Sequence, residues 1–213
     1  MILSDTHLHQ GRREELVRLL EKNWYEVTVL PFPIDEAEAI KRDSKREYPV
    51  GASVIASMCD RFNTQFPLER VTQNPELPPA YIFDIDGTLA IKGDRDVYDY
   101  TKVYLDTPRE GLLRILLALQ DTYSLIAVSG RDDACEEATS KWLEGLGLKP
   151  DELHMRKTGD NRDDVIVKKE IFLEKILPEY YTIAVFDDRP KVVRSWRRMG
   201  LEVFAVGNQL VEF

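Results

Sequence analysis

A chain of 213 residues with 43% hydrophobic composition and a formal net charge of -9 can bury a substantial core, in one large domain or two modest ones. The acidic balance excludes a general nucleic-acid coating protein, which needs clustered Lys and Arg, and leaves room only for local positive sites. No window has the length of a membrane span, the amino terminus lacks the basic-then-apolar pattern of a secretory signal, and Cys59 and Cys135 have no metal-ligand spacing, so a cytoplasmic protein with free thiols is expected.

In chain order, residues 1–4 and 26–30 read as short strands, and residues 12–21, 34–39 and 50–62 as helices. Two strands make a thin sheet, so residues 1–73 are expected to form an incomplete α/β unit, packed on the rest of the chain or on another copy as a homodimer. The opening LSDTHLH sets His7 and His9 beside Asp5, but His154 is the only other histidine and no further ligand cluster accompanies the pair. Capping, turn formation or packing is the simpler expectation there. Basic clusters occur at KRDSKR, from Lys41 to Arg46, and RSWRR, from Arg194 to Arg198; each either faces a polyanion or decorates a solvated helix.

The Pro-rich segment NPELPP, residues 74–79, marks a boundary, and residues 79–213 are expected to form a second domain. Apolar runs at 80–83, 124–128, 181–186 and 201–206 read as buried parallel strands. They alternate with helical patterns at 109–120, 132–146, 165–176 and 191–199. That alternation predicts an α/β sheet with its site at the carboxyl edge of the strands.

The densest chemistry is YIFDIDGTL, residues 81–89, where an apolar run delivers Asp84 and Asp86 into a Gly-Thr turn. Residues i and i+2 of an extended segment share a face, so both carboxylates can converge on one metal ion or phosphoryl group. A buried strand carries unpaired acids at high cost unless a metal or partner compensates them. Three further features join this one if the strands lie side by side: SGR from Ser129, Lys168 in DDVIVKKEIF, and DDR from Asp187. Asp84 is suited to accept a phosphoryl group, and Asp86 to protonate the leaving oxygen and later take a proton from water. Asp187 and Asp188 add hard oxygen ligands favouring Mg²⁺, Ser129 and nearby amides can donate to phosphate oxygens, and Lys168 supplies a compact positive charge.

These motifs resemble those of the haloacid-dehalogenase superfamily, and FDIDGTLA, VSGRDD, DDVIVKKEIF, FDDRPKVV and WRRMGLEVF look most like the 3'-phosphatase domain of bacteriophage-type polynucleotide kinase-phosphatases. The resemblance implies a Rossmann-like parallel sheet with a small cap, Asp84 as phosphoryl acceptor, and Asp86 as acid-base and as donor of its backbone carbonyl to Mg²⁺. It assigns phosphate or substrate contacts to Ser129, Arg131 and Lys168, a supporting place to Arg95, and an orienting role to Asp163 toward Lys168 or a neighbouring basic group. Asp187 and Asp188 divide direct and water-mediated metal contacts in an order left open. The interval between Thr88 and Ser129 is too short for a large lid, and an open site suits a polynucleotide end.

Residues 1–67 look like the later half of the 5'-kinase domain of the same enzymes, through ILSDTHLHQGRREEL, WYEVTVLPF and AIKRDSKR, with Arg42 and Arg46 matching its lid arginines. The departure is that no GxxxxGK[ST] loop occurs anywhere, so 5'-kinase activity is not expected from this chain. The chain is either a fragment of a longer bifunctional protein or one whose amino-terminal segment serves packing, docking or oligomerisation. The leading expectation is a Mg²⁺-dependent polynucleotide 3'-phosphatase of DNA or RNA end repair, working beside a kinase or ligase, in a host cytoplasm if phage-encoded. A nucleotide or sugar phosphatase, and a catalytically silent protein that holds nucleic-acid ends, are the alternatives.

Overall fold

The computed structural model describes residues 9–32, 34, 36–66, 70–94 and 100–208. The chain divides into two compact units, Met1–Arg70 and Val71–Phe213. Among the described residues no helix is long and apolar enough to cross a membrane, and both cysteines are free and buried.

The described part of the first unit contains α1 (Gln10–Lys22), α2 (Glu36–Asp43) and α3 (Ala52–Gln65). His9 caps α1, its ring Nδ1 accepting the Arg12 N–H at 3.4 Å, which is the capping role expected of it; His7 lies outside the described residues. Arg13 of α1 donates to Gln65 at 2.6 Å and lies over the Phe66 ring at 4.8 Å, tying α1 to the end of α3. The buried Asp43 carboxylate accepts the N–H groups of Gly51 at 2.9 Å and Val50 at 3.2 Å, which closes the KRDSKR loop. Arg42 pairs with Glu38 and Arg46 with Asp43.

No strand forms among the described residues of this unit. Residues 1–4 lie outside them, and residues 26–30, expected to be a strand, carry no regular structure. Their apolar alternation has no neighbouring ladder to satisfy its backbone groups, and an extended segment without a partner is not stable as a strand. Trp24 is 97% exposed, with Tyr25, Val29, Leu30 and Phe32 exposed beside it.

The second unit contains the expected α/β sheet. Strand β1 (Pro79–Phe83) is followed by an arm formed by the short β2 (Ala90–Ile91) and β3 (Thr107–Pro108), with a 3₁₀ segment at Tyr100–Leu105 between them. Then come α4 (Glu110–Leu119), β4 (Ser124–Asp132), α5 (Glu136–Gly145), β5 (Glu152–Arg156), α6 (Asp164–Ile171), β6 (Tyr181–Asp187), α7 (Pro190–Arg198) and β7 (Val203–Ala205). The five long strands pair in parallel in the order β5-β4-β1-β6-β7. β1 is therefore central, with β4 and β6 on either side, so their carboxyl ends open onto one edge.

Side chains alternate across this sheet as period-two geometry requires. Ala80, Ile82, Ile126 and Val185 pack with Phe172, Ile176 and Trp196 on one face; Phe83, Leu125 and Ala127 pack with Leu116, Trp142 and Leu143 on the other. β5 was not foreseen, because ELHMR has the polarity of an edge strand rather than of a buried one. The helix at 165–176 is interrupted after Ile171 by a π-helical turn at Phe172–Ile176. Pro190 starts α7, where its missing N–H costs nothing.

Candidate active site

At the carboxyl end of β1 the chain turns on Gly87, whose φ of +80° is open to glycine; a Cβ there would also overlap the Asp188 carboxylate. This turn brings Asp84 against the end of β6. One oxygen each of Asp84, Asp187 and Asp188 lies within 4.8 Å of the others. Thr88 Oγ1 is 3.0 Å from both Asp84 Oδ2 and Asp188 Oδ1, and its single proton reaches one of them at a time.

Lys168, from α6, enters this group of acids from below. Its ammonium is 2.8 Å from Asp84 Oδ1, 3.0 Å from Asp187 Oδ2 and 4.0 Å from Asp164 Oδ2. Burial alone would push that ammonium down, but Asp187, Asp84 and Asp164 hold it above its ordinary value. Asp187 also accepts the Trp196 indole N–H at 3.1 Å and the Arg189 N–H at 3.1 Å, which fixes both its oxygens. Burial raises the Asp84 carboxyl well above the usual range; Lys168 opposes the shift, and Asp187 and Asp188 add to it. Asp188 is raised for the same reasons, first burial and then Asp187. Buried Asp84 and Asp187, both against Lys168, together with the partly buried Asp188 form an under-neutralised, all-oxygen donor set, and that set fits a hard divalent cation.

Asp86 turns the other way. Arg131, fully buried, grips it with two hydrogen bonds of 2.7 Å, and also donates to Asp106 at 2.8 Å and Thr139 at 3.3 Å. A register irregularity between Ser129 and Asp132 in the pairing of β4 with β5 turns Arg131 inward, a common use of bulges beside sites. The sequence suggested a substrate contact for Arg131; here its fork engages Asp86 and Asp106. Ser129 is also fully buried, its hydroxyl accepting the Arg131 N–H at 3.2 Å. Arg95 lies outside the described residues.

Asp163 caps α6, accepting the Val165 N–H at 2.9 Å, and pairs with Lys191 at 2.7 Å; both bonds lower its carboxyl. It does not contact Lys168. Its neighbour Asp164 does so one helical turn earlier, and also binds Arg156 at 2.9 Å and Arg189 at 3.0 Å. A Cβ on Gly130 would overlap the Asp164 carboxylate, so the glycine of SGR admits this acid. The adjacent acids in DDVIVK offered this assignment, since only the second stands four residues before Lys168. Arg109, also unforeseen, donates to the carbonyls of Gly87 at 2.8 Å and Thr88 at 2.9 Å, clamping the turn from behind.

A model of the phosphatase domain of polynucleotide kinase PNKP matches residues 78–209. A protein of Autographa californica nuclear polyhedrosis virus, assigned as a bifunctional polynucleotide kinase/RNA ligase, is 29% identical over 221 aligned positions, covering 100% of this chain and 32% of its own length. The chain thus spans about a third of the curated relative it matches. Two structures of the Pnkp1/Rnl/Hen1 RNA repair complex are also similar. One has a TM-score of 0.62 at 30% identity, covering 91% of this chain and 70% of that one. The other has 0.63 at 29%, covering 95% and 69%.

Proposed function

Because the chain belongs to the family of polynucleotide kinase PNKP phosphatase domains, with the parallel α/β fold of haloacid-dehalogenase phosphatases, we propose that it is a Mg²⁺-dependent polynucleotide 3'-phosphatase of nucleic-acid end repair. The observation that carries this reading is the asymmetric DIDGT turn, with Asp84 among under-neutralised acids and Asp86 fixed on a separate arginine. Residues 79–213 constitute the phosphatase domain in this reading. Residues 1–73 serve packing, docking or oligomerisation, with a second copy or a kinase or ligase as partner. With no GxxxxGK[ST] loop in the 213 residues, 5'-kinase activity is not assigned to this chain.

Asp84 Oδ attacks phosphorus, the bond from phosphorus to the ribose 3' oxygen breaks, and that oxygen takes a proton from Asp86. Water then gives a proton to Asp86 and attacks the aspartyl-phosphate, releasing inorganic phosphate and free Asp84. Lys168 offsets charge on the transferring group and on Asp84 throughout, and the Thr88 hydroxyl holds Asp84 in orientation. Arg131 keeps Asp86 aimed at the leaving oxygen. Ser129 supports the same turn through the Arg131 backbone. Asp84, Asp187, Asp188 and the Asp86 carbonyl would hold Mg²⁺, which would supply the positive charge that lets an anionic phosphate approach a carboxylate.

The test is Mg²⁺-dependent phosphate release from a 3'-phosphorylated oligonucleotide, with the 3'-mononucleotide in parallel and the Asp84→Asn protein as blank. Turnover of the oligonucleotide is expected, with Asp84→Asn lowering kcat by at least about a thousandfold while the circular dichroism spectrum is kept. Turnover of the mononucleotide alone would make this a small-substrate phosphatase. Oligonucleotide binding without turnover would make it an end-binding protein.

A further inference from the structure

The arm between β1 and α4 stands at the same sheet edge as the reaction centre and presents apolar side chains to solvent. Ile91, Tyr104 and Leu105 are all exposed, Tyr104 to 69%. Two backbone features place this surface beside the reacting groups. Ala90 forms a bridge with Asp86, so Ile91 is the next residue outward from the DIDGT turn. β2 pairs with β3 at Ile91 and Thr107, which brings the residues before Thr107 to the same side.

Asp106, a buried carboxylate, ties the arm to the core. Asp106 Oδ1 accepts the Gly93 N–H at 3.2 Å, joining the two sides of the arm, and Asp106 Oδ2 accepts from the Arg131 guanidinium that holds Asp86. Its backbone carbonyl accepts the Trp142 indole N–H at 3.0 Å. Gly93 is packed so closely on Leu105 that a Cβ would overlap the Leu105 carbonyl. The exposed side chains therefore stand on a base fixed to the core and linked to Asp86 through Asp106 and Arg131.

Resting on the phosphatase reading, we propose that Tyr104, with Ile91 and Leu105, is the platform on which the terminal base of a single-stranded 3'-phosphorylated end stacks. Among the described residues the arm exposes three large apolar side chains, too few for a stable protein interface, which needs about 800 Å² from each partner, whereas one ring suffices to stack one base. A tyrosine ring stacks on any base. The platform makes the terminal base a determinant of specificity while demanding no particular base.

The experiment compares a 3'-phosphorylated oligonucleotide with one whose terminal nucleotide is abasic, using wild-type, Tyr104→Ala and Tyr104→Phe proteins. Wild type is expected to prefer the base-bearing end by roughly 5- to 100-fold, chiefly in KM, because stacking acts equally before and during the chemical step. Tyr104→Ala should collapse that preference, and Tyr104→Phe should keep it. An independent readout places 2-aminopurine at the terminal position and follows quenching on the Asp84→Asn protein, with Tyr104→Ala added as the second change. Phosphate release with no base preference, or a preference that survives Tyr104→Ala, overturns the platform and leaves the phosphatase reading standing. Tyr104-dependent quenching without phosphate release in wild type overturns the phosphatase reading and leaves the platform standing. Absence of any oligonucleotide binding overturns both.

Discussion

The two carboxylates of DIDGT stand two residues apart, yet the structure sends them into environments of different kinds. Asp84 and Asp187 lie against the ammonium of Lys168, with an Asp188 oxygen within 4.8 Å of theirs; that ammonium is a compact charge that neutralises without dictating orientation. Asp86 is held by the planar fork of Arg131, which is itself shared with Asp106 and dictates orientation closely. One half of the site is arranged to receive charge, and the other to hold one group still. In the proposed reaction the same residue type takes two chemical roles from its partners.

The comparison breaks most severely if Lys168 is removed. Lys168→Met leaves the buried Asp84 and Asp187 without their cation, so a loss of about 3–5 kcal/mol in stability is expected in urea unfolding at neutral pH. Phosphate release should fall with it. On the other half, Arg131→Lys keeps the charge and loses the fork. A drop in kcat of about a hundredfold, with a smaller change in KM, is expected from misplacing Asp86, and retention of wild-type kcat would show that charge alone suffices.

Arg109 sharpens the contrast, because it acts on the turn that joins the halves. Its donors engage the carbonyls of Gly87 and Thr88, and a planar peptide whose carbonyl faces Arg109 directs the Thr88 N–H the opposite way. Arg109→Ala should lower kcat by about tenfold and stability by about 1–2 kcal/mol, with Arg109→Lys intermediate. Equal activity of all three proteins would remove Arg109 from the account.

The smallest effect lies away from both halves. Hydrogen bonds from Arg162 bring the Asp160 carboxyl down from an ordinary 3.8 to about 2. A depressed acid contributes stability above its ordinary value and loses it as pH falls toward about 2. A carboxyl NMR titration should find that low midpoint, and Arg162→Gln should return it toward the ordinary value.

The parallel sheet and the motif positions were legible in the sequence because buried strands are continuous apolar runs, and because acids at their ends have few other uses. The parts that escaped were those with a polar or local signal. β5 is an edge strand, Asp164 is distinguished from Asp163 only by its spacing from Lys168, and Arg109 bonds only to backbone. The strand expected at 26–30 carried the alternating pattern of a sheet residue set, but pattern states which face is apolar without supplying a neighbour.

The sequence by itself determined that four parallel strands carry Asp84, Ser129 and Asp187 to one edge, since hydrophobic periodicity and the order of the motifs are local properties of the chain. Only the tertiary structure decided that Asp86 belongs to Arg131 and that Asp106 ties this pair to the arm. Those assignments depend on distances between segments far apart in sequence, fixed by the strand order β5-β4-β1-β6-β7 and the bulge at the end of β4. Charge alone left several pairings open, and packing selected among them.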